Sequence, residues 1–132
     1  MARVFVYGSL MSGLHNNRFL EDAEFLGPER IGGEGLALVD LGSFPGLIRS
    51  DHHDGDESYH IVGELYEVGA DSLARLDRLE GVPRHYNRAE VCLGRGGYAI
   101  VYILNEGHPY DCIVEGGDWR KHLEWREKLC AE

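Results

Sequence analysis

Short apolar stretches typical of β-strands alternate along the chain with polar segments that contain glycine. Residues 3–7 form a nearly continuous apolar run, as a buried strand does, and residues 59–68 alternate between two faces with the period of a strand. The other strand patterns are a glycine-interrupted strand or pair of strands at 30–41, a turn and short strand at 42–48, and two strands at 86–93 and 98–104. Residues 94–97 are rich in glycine and predict the hairpin turn between the last two strands.

Helical spacing of apolar residues is found in three segments. Residues 15–22 predict a short helix, after which the Gly-Pro pair at 27–28 is expected to break the chain. Residues 118–130 predict a terminal helix that Asp118 opens as its N-cap.

The third helical segment, residues 71–80, has clear start and stop signals. Asp71 or Ser72 can cap its first turn, and leucines recur inside it at helical spacing. Gly81 followed by Pro83 stops the helix. The helix is therefore expected to end close to residue 80.

Glu80 falls near the apolar stripe of this helix, because it follows Leu73 by seven residues and Leu76 by four. Desolvation and the negative end of the helix dipole both disfavour an ionised carboxylate there, so the pKa of Glu80 is expected to be raised. A carboxyl group with a raised pKa suits a general acid or base at neutral pH. The alternative is that Glu80 lies at the helix edge, reaches water and pairs with Arg84.

The order of these elements indicates the fold class. Strands and helices are not regularly interleaved, which argues against a doubly wound parallel sheet. The chain has 132 residues, enough for one domain with a real core, and its 18 glycines suit turns and strand bulges. We therefore predict a single α+β domain over residues 1–132, a mixed, mostly antiparallel β-barrel with flanking helices.

Charge and composition argue against several classes of partner. The net charge of −10 disfavours binding to nucleic acid or to an anionic membrane surface, and no apolar run approaches the roughly 18 residues of a membrane span. The chain enters a strand pattern directly at its N-terminus, so no signal peptide is expected. Three widely spaced cysteines, none in a C-x-x-C pair, favour reduced thiols in a cytoplasmic protein and indicate neither a zinc site nor a redox motif.

The segment after the first strand, Tyr7-Gly8-Ser9-Leu10, is a candidate binding loop. A glycine just past a buried strand lets successive backbone N–H groups turn towards a carboxylate or an oxyanion. The segment lacks the spacing of a phosphate-binding loop, and a plain strand-to-loop turn is the alternative. The corner at residues 44–46, Phe-Pro-Gly, is a second loop that either walls a pocket or forms a tight turn.

Two further polar features have competing interpretations. Residues 51–58 hold two histidines and four acids, which invite a metal-site hypothesis, but the register of a calcium loop is absent. Adjacent His52 and His53 are expected to point apart on an extended chain, so a solvated hairpin loop is favoured. Glu64 shares a strand face with apolar residues and is a second candidate for a semi-buried carboxylate.

Several short motifs occur in order along the chain. They are Val6-Tyr7-Gly8-Ser9-Leu10, Ser43-Phe44-Pro45-Gly46-Leu47, Gly63-Glu64-Leu65-Tyr66, Leu76-Asp77-x-Leu79-Glu80-Gly81 followed by Tyr86-x-Arg88, and Glu115-Gly116-Gly117-Asp118-Trp119. Together they resemble the γ-glutamylcyclotransferase-like family, also called AIG2-like, in its small bacterial branch. The resemblance covers nearly the whole chain.

The resemblance implies a small mixed barrel and an enzyme that cyclises a γ-glutamyl amide without a cofactor or metal. In that reaction the free α-amino group attacks the γ-carbonyl group, giving 5-oxoproline and a free amine. By match to the motifs, Glu80 is expected to be the catalytic acid and base, and Tyr7-Gly8-Ser9-Leu10 the substrate-binding loop. Tyr86 is expected to bind substrate or to hydrogen-bond near the carboxyl group, and Arg88 to be a structural partner. The alternative is a binding protein that keeps the pocket without turnover and senses a small γ-glutamyl or carboxylate metabolite.

Overall fold

Two β-sheets, two α-helices and a short 3₁₀ helix form the described part of the chain, residues 1–131 of a computed structural model. The strands are β1 (Ala2–Val6), β2 (Glu24–Gly32), β3 (Leu36–Asp40), β4 (Pro45–Arg49), β5 (His60–Val68), β6 (Tyr86–Cys92), β7 (Tyr98–Leu104) and β8 (Cys112–Ile113). The helices are the 3₁₀ helix (Asn17–Leu20), α1 (Ala70–Leu79) and α2 (Trp119–Ala131). These elements confirm the predicted α+β class.

The larger sheet has the strand order β2-β5-β1-β7-β6, and the smaller sheet has the order β4-β3-β8. Neighbouring strands are antiparallel except β1 and β7, which run parallel and pair at Val4 and Ile100. The predicted barrel is wrong in its closure, because the strands form two sheets with open edges. One open edge is β2, where Pro28 has no N–H to offer to a further strand.

β2 runs straight through the Gly-Pro pair at residues 27–28, which the sequence predicted as a chain break. The strand tolerates the pair because it lies at the sheet edge and because its pairing with β5 shifts between Phe25 and Gly27. Gly27 has a φ of 123°, which favours glycine. Of the two alternatives at 30–41, the pair of strands is confirmed, since the region holds the end of β2 and all of β3.

The predicted helices are confirmed at α1 and α2 and only in part at residues 15–22. There the chain forms turns around the short 3₁₀ helix. α1 begins at Ala70 without a side-chain cap, so the predicted capping by Asp71 or Ser72 is wrong. Its stop signal is confirmed, since the helix ends at Leu79.

A buried carboxylate of β3 holds α2 in place. The helix starts as predicted, because the Asp118 carboxylate accepts a hydrogen bond from the Lys121 backbone N–H at 3.3 Å. Asp40 is buried, and its Oδ2 lies 2.8 Å from Nε2 of His122 and 3.4 Å from Nη1 of Arg126. Because a buried charge is costly without partners, these contacts fix α2 against the smaller sheet.

The core is built from the apolar faces of both sheets and from the start of α2. Its largest fully buried side chains include Phe5, Met11, Leu38, Leu47, Leu65 and Trp119. Because β1 is central in the larger sheet, its C-terminal end emerges between packed elements and places the following loop beside the core.

The helices and the cysteines of the described residues can be compared with what the composition led us to expect of membrane spans and disulfides. Within residues 1–131, no helix is both long and apolar enough to cross a membrane. The three cysteines are unpaired and exposed, as expected for reduced thiols: Cys92, Cys112 and Cys130.

Candidate active site

A cavity of about 490 Å³ lies where the C-terminal ends of β1 and α1 meet. The corner at residues 44–45 contributes to its wall, which is the first of the two alternatives for that segment. All six residues that the sequence singled out as site candidates also line it: Tyr7, Gly8, Ser9, Leu10, Glu80 and Tyr86. The fold therefore brings together candidates that are far apart in the sequence.

The end of α1 sets the position of Glu80. Glu80 caps the helix with a φ of −81°, and Gly81 after it has a φ of 66° in the left-handed region. The Gly81 N–H donates to the Arg78 carbonyl at 3.1 Å, and the Val82 N–H donates to the Asp77 carbonyl at 3.0 Å. This is the hydrogen-bond pattern of a Schellman motif. Because glycine adopts the left-handed conformation without strain, the chain turns sharply after Glu80 and leaves that side chain in the cavity wall.

Glu80 is a half-buried residue. Among residues 1–131 it has no ion pair, so the alternative in which it pairs with Arg84 is wrong. Burial raises the pKa of Glu80 from 4.5 to about 7. Near neutral pH the group is therefore present in both its protonated and its ionised form, which is the condition for a general acid and base.

The loop after β1 brings backbone donors to the same cavity. β1 ends at Val6, and the chain then turns, with the Met11 N–H donating to the Gly8 carbonyl at 3.0 Å. Within the described chain, the N–H groups of Gly8, Ser9 and Leu10 have no hydrogen-bond acceptor. Three consecutive free amides in a cavity wall suit a carboxylate or an oxyanion.

Glu64 anchors the far end of this loop. Its carboxylate accepts hydrogen bonds from the N–H and the hydroxyl of Ser12, both at 2.6 Å, and from Tyr66 and Arg120, both at 3.1 Å. Burial pushes the pKa of Glu64 upward, but the hydrogen bonds from Ser12, Arg120 and Tyr66 outweigh it and hold the pKa below its usual value. The expected semi-buried carboxylate is confirmed, but Glu64 is a paired structural anion, in contrast to the unpaired Glu80.

Replacing Glu64 with glutamine is expected to lower the free energy of unfolding by about 1–2 kcal/mol at pH 7, because an amide cannot accept from all these donors. The folded-state pKa is depressed, so the stabilisation is present above the unfolded pKa of about 4.3 and is lost as the pH falls through the folded pKa. Urea unfolding at pH 7 and pH 3 should show a difference between wild type and variant that shrinks at pH 3. A difference that is independent of pH would contradict this account.

Two tyrosines of the cavity wall are fixed in place by hydrogen bonds from their hydroxyl groups to backbone carbonyl groups. Tyr7 donates to the Tyr102 carbonyl at 2.7 Å, and Tyr86 donates to the Pro45 carbonyl at 3.1 Å. Burial raises the pKa of both hydroxyls, and the nearby charge of Glu80 adds to the effect, so both stay protonated. Tyr86 lines the cavity, and its hydroxyl bonds to Pro45 and not to the Glu80 carboxyl group. Its expected role in substrate binding stays a prediction.

An ion pair outside the cavity joins three elements. Arg88 of β6 donates from Nε to Oδ1 of Asp77 in α1 at 2.9 Å, and it pairs with the same carboxylate through Nη2. The hydroxyl of Tyr102, in β7, donates to Asp77 Oδ1 at 2.7 Å. Arg88 is thus a structural partner, as predicted, and helps to hold the end of α1 near the cavity.

Four polar residues of the cavity wall carried no motif in the sequence. They are His15, Asn16, His85 and His108. All four lie in turns or loops, where neither periodicity nor spacing indicates which way a side chain faces. Only His85 could have been identified from the sequence, because it directly precedes the candidate site residue Tyr86.

The polar segment at residues 51–58 connects β4 of the smaller sheet to β5 of the larger one, so it is not a hairpin loop. The segment is folded into turns, and His53 is buried against Tyr59, with ring centroids 3.5 Å apart. His52 and His53 do not point apart, because their rings meet edge to face with centroids 4.6 Å apart. The prediction of a solvated segment is confirmed for seven of its eight residues, which are exposed. It is wrong in the extended hairpin geometry and at His53, which packs on the core.

Comparisons with known proteins reveal relatives in sequence and in structure. Residues 4–121 match the family described as gamma-glutamyl cyclotransferase, AIG2-like. A Vibrio cholerae protein with the provisional name gamma-glutamylcyclotransferase is 40% identical over 116 residues, 88% of this chain and 93% of that protein. The gamma-L-glutamyl-butirosin B gamma-glutamyl cyclotransferase of Niallia circulans is 37% identical over 81 residues, 61% of this chain and 46% of that protein. An uncharacterized protein of Pyrococcus horikoshii has a similar crystal structure, with a TM-score of 0.74 and 25% identity over 96% of this chain and 98% of that chain.

Proposed function

Because the chain belongs to the gamma-glutamyl cyclotransferase, AIG2-like family, we propose that it cyclises a γ-glutamyl amide. The free α-amino nitrogen of the substrate attacks the γ-carbonyl carbon, a ring C–N bond forms, and the original amide C–N bond breaks. The products are 5-oxoproline and a free amine. The observation that carries the proposal is the unpaired carboxyl group of Glu80 in one cavity with three free backbone amides.

Glu80 is the proposed general acid and base. An α-ammonium group is not a nucleophile, so ionised Glu80 first takes one of its protons. The protonated carboxyl group then donates to the leaving nitrogen as the amide bond breaks, which returns Glu80 to its ionised form. After the attack, ionised Glu80 takes a second proton from the ring nitrogen and passes it to the leaving nitrogen in the same way. The ring nitrogen keeps the third ammonium proton, and the amine leaves as an ammonium ion. A pKa of about 7 permits both transfers near neutral pH.

The free amides of Gly8, Ser9 and Leu10 are the proposed donors to the γ-carbonyl oxygen as negative charge develops on it. Donors that are already in position stabilise such an oxyanion without reorganisation. Tyr7 and Tyr86 already donate their hydroxyl protons to backbone carbonyls and so shape the wall. Because the nucleophile is part of the substrate, no covalent bond to the protein is required.

The residues at the mouth of the cavity are expected to contact the amine part of the substrate and so to determine which amine is accepted. Phe44 and Leu79 line the cavity and are 45% and 37% exposed, so they lie at its rim. Within residues 1–131, no lysine or arginine lines the cavity. The rim also holds the exposed histidines His15, His85 and His108 but, in the described chain, no permanent cation. The apolar contact offered by Phe44 and Leu79 therefore favours an amine with an alkyl or aromatic part over an amino acid, whose carboxylate calls for a permanent cation.

The proposal is tested by incubating the protein with γ-glutamyl amino acids, γ-glutamyl-lysine and simple γ-glutamyl alkylamides and measuring 5-oxoproline. We expect product from at least one compound and a higher kcat/KM for the alkylamides than for the γ-glutamyl amino acids. Binding of these compounds without any turnover would instead support a binding protein on the same fold. Equal kcat/KM values across the panel would contradict the role given to the rim.

Replacing Gly8 with alanine is expected to reduce kcat/KM by about tenfold or more, since small displacements of positioning groups are costly in catalysis. A methyl group at residue 8 would lie 2.5 Å from Cγ and 2.8 Å from Cδ of Pro45, so the loop or the rigid proline must move. The matched control is Gly94→Ala, at a glycine with open space and no left-handed φ. Steady-state kinetics of both variants provide the check, and equal activity of Gly8→Ala and wild type would rule out a positioned loop.

A further inference from the structure

Two histidines and a glutamate converge on a surface that is separate from the candidate active-site cavity. His52 and His53 come from the segment between β4 and β5, and Glu115 comes from the loop before α2. Nε2 of His52 lies 3.0 Å from Oε1 of Glu115, and Nε2 of His53 lies 3.7 Å from Oε2 of the same carboxylate. None of the three lines the cavity. We refer to them as the His-His-Glu cluster.

His53 is the member of the cluster whose environment requires a ligand. Its side chain is 7% exposed, and its Nε2 is buried without a hydrogen-bond partner among the described residues. Buried polar atoms nearly always have a partner in folded proteins, so an unpartnered one indicates an absent ion or water. Tyr59 stacks on the His53 ring at an interplanar angle of 15° and restricts its orientation. The nitrogen is therefore held facing the Glu115 carboxylate.

We propose that the His-His-Glu cluster binds one Zn²⁺ ion, through Nε2 of His52, Nε2 of His53 and the carboxylate of Glu115. Imidazole nitrogens and a carboxylate are common zinc ligands, and three of them leave a fourth position for water. With zinc bonds of about 2.0–2.2 Å, the ligand atoms of a tetrahedral site lie roughly 3.3 Å apart. The separations of 3.0 and 3.7 Å in the cluster are close to that value.

A second group of potential ligands, Asp40, Cys112 and His122, does not support the same proposal. Oδ2 of Asp40 already lies 2.8 Å from Nε2 of His122 and 3.4 Å from the guanidinium of Arg126. The guanidinium supplies the positive charge that a metal ion would bring. Glu115, by contrast, has no lysine or arginine partner in the described chain.

The position of the cluster indicates a structural role for the metal. Zinc bound there would join the segment that crosses between the two sheets to the loop that precedes α2. That loop is already attached to β5, since the Val62 N–H donates to the Gly117 carbonyl at 2.8 Å. A metal that binds the folded chain and not the unfolded one raises the melting temperature. Its affinity should fall as the pH drops, because both imidazoles must be neutral to coordinate.

The test is a titration of EDTA-treated protein with ZnCl₂ at pH 7.5, followed by calorimetry, with the melting temperature measured with and without the metal. We expect one site per chain and a rise in melting temperature of about 5–10 °C when free Zn²⁺ exceeds the Kd by about 100-fold. Glu115→Gln and His52→Ala change exposed side chains, so both variants should fold. Each is expected to weaken zinc binding by about 100-fold or more, since a direct ligand is lost.

Two matched controls decide where the metal binds. His60→Gln removes a neighbouring histidine outside the cluster, and Cys112→Ser alters the second group of potential ligands. Both variants should keep the wild-type Kd. The proposal is overturned if Zn²⁺ leaves the wild-type melting temperature unchanged, if Glu115→Gln binds as tightly as the wild type, or if Cys112→Ser abolishes binding. Because the readout is binding and not turnover, the outcome is independent of the proposed cyclotransferase reaction.

Discussion

Replacing Glu80 with glutamine is expected to lower kcat for cyclisation of the best γ-glutamyl substrate by about 10²–10⁴-fold, the usual contribution of a general acid and base. Glutamine has nearly the same shape, so the cavity keeps its form, but its amide is neither a base nor an acid near neutral pH. Glu80 has no ion pair to lose within residues 1–131, and the substitution therefore removes proton transfer without breaking a charge network. KM is expected to change little, because the substrate contacts assigned to the loop remain.

The pH dependence sharpens this test. Since the ionised form of Glu80 takes the first proton, kcat/KM of the wild type should rise with pH and level off above about 7. Glu80→Gln should show no inflection in that range. The matched control is Glu90→Gln, an exposed residue of β6 that does not line the cavity, and it should behave as the wild type. If Glu80→Gln kept more than about a tenth of the wild-type kcat, or kept the inflection, Glu80 would not be the acid and base.

The same substitution is expected to stabilise the protein at alkaline pH. The folded-state pKa of Glu80 is raised to about 7, so the folded state favours the protonated form. The wild type is therefore most stable, with respect to this group, below the unfolded pKa of about 4.3, and it loses that stability as the pH rises to 7. After allowance for partial exposure, the loss is about 2–3 kcal/mol.

Urea unfolding of wild type and Glu80→Gln at pH 4.5, 6 and 8 measures this effect. The difference in the free energy of unfolding should move by about 2–3 kcal/mol in favour of the variant between pH 4.5 and pH 8. Any fixed cost of burying the glutamine side chain cancels in this comparison. A constant difference across the three pH values would mean that the carboxyl group is solvated in the folded protein.

Together, the kinetic and the unfolding results for Glu80→Gln would show that loss of one proton, that of the Glu80 carboxyl group, both activates the enzyme and destabilises the fold. Loss of that proton makes Glu80 a base and raises kcat/KM, while it leaves an unpaired charge in the cavity wall and weakens the fold. A partner such as an arginine would remove the instability, but it would also lower the pKa and make the carboxyl group a poor acid. The absence of an ion pair at Glu80 within the described chain is thus consistent with a selected function.

The features of the site that could be predicted from sequence are those with local causes. The raised pKa of Glu80 comes from burial, which its place near the apolar stripe of the helix predicted, and its orientation follows from the glycine at residue 81. Most strands could be predicted for the same reason, because alternation of polar and apolar residues is visible in a short window. The grouping of Glu80 with Tyr7 and Tyr86 came from the order of motifs along the chain.

The features that were missed depend on contacts between distant segments. Whether β2 can pass through a Gly-Pro pair depends on its place at the sheet edge, which no local pattern records. Closure of the strands into a barrel depends on all pairings at once. The sequence around Glu64 did not indicate that Ser12 and Arg120, both distant in the chain, would donate hydrogen bonds to its carboxylate. Likewise, the histidines at 52 and 53 are joined by the third proposed zinc ligand only because the fold places Glu115, 63 residues after His52, beside them.

The parallel pairing of β1 with β7 also has a consequence for how the protein is made on the ribosome. β1 is synthesised before both of its neighbours in the sheet, β5 and β7, which lie far downstream. At about 5–20 residues per second, roughly 5–20 s pass between the synthesis of β1 and that of β7. Throughout that interval Val4 and Phe5, which are fully buried in the finished fold, lack one of their covering strands. Until β7 emerges, the nascent chain therefore carries an apolar strand with one unpaired edge, the kind of segment that chaperones for extended apolar stretches bind.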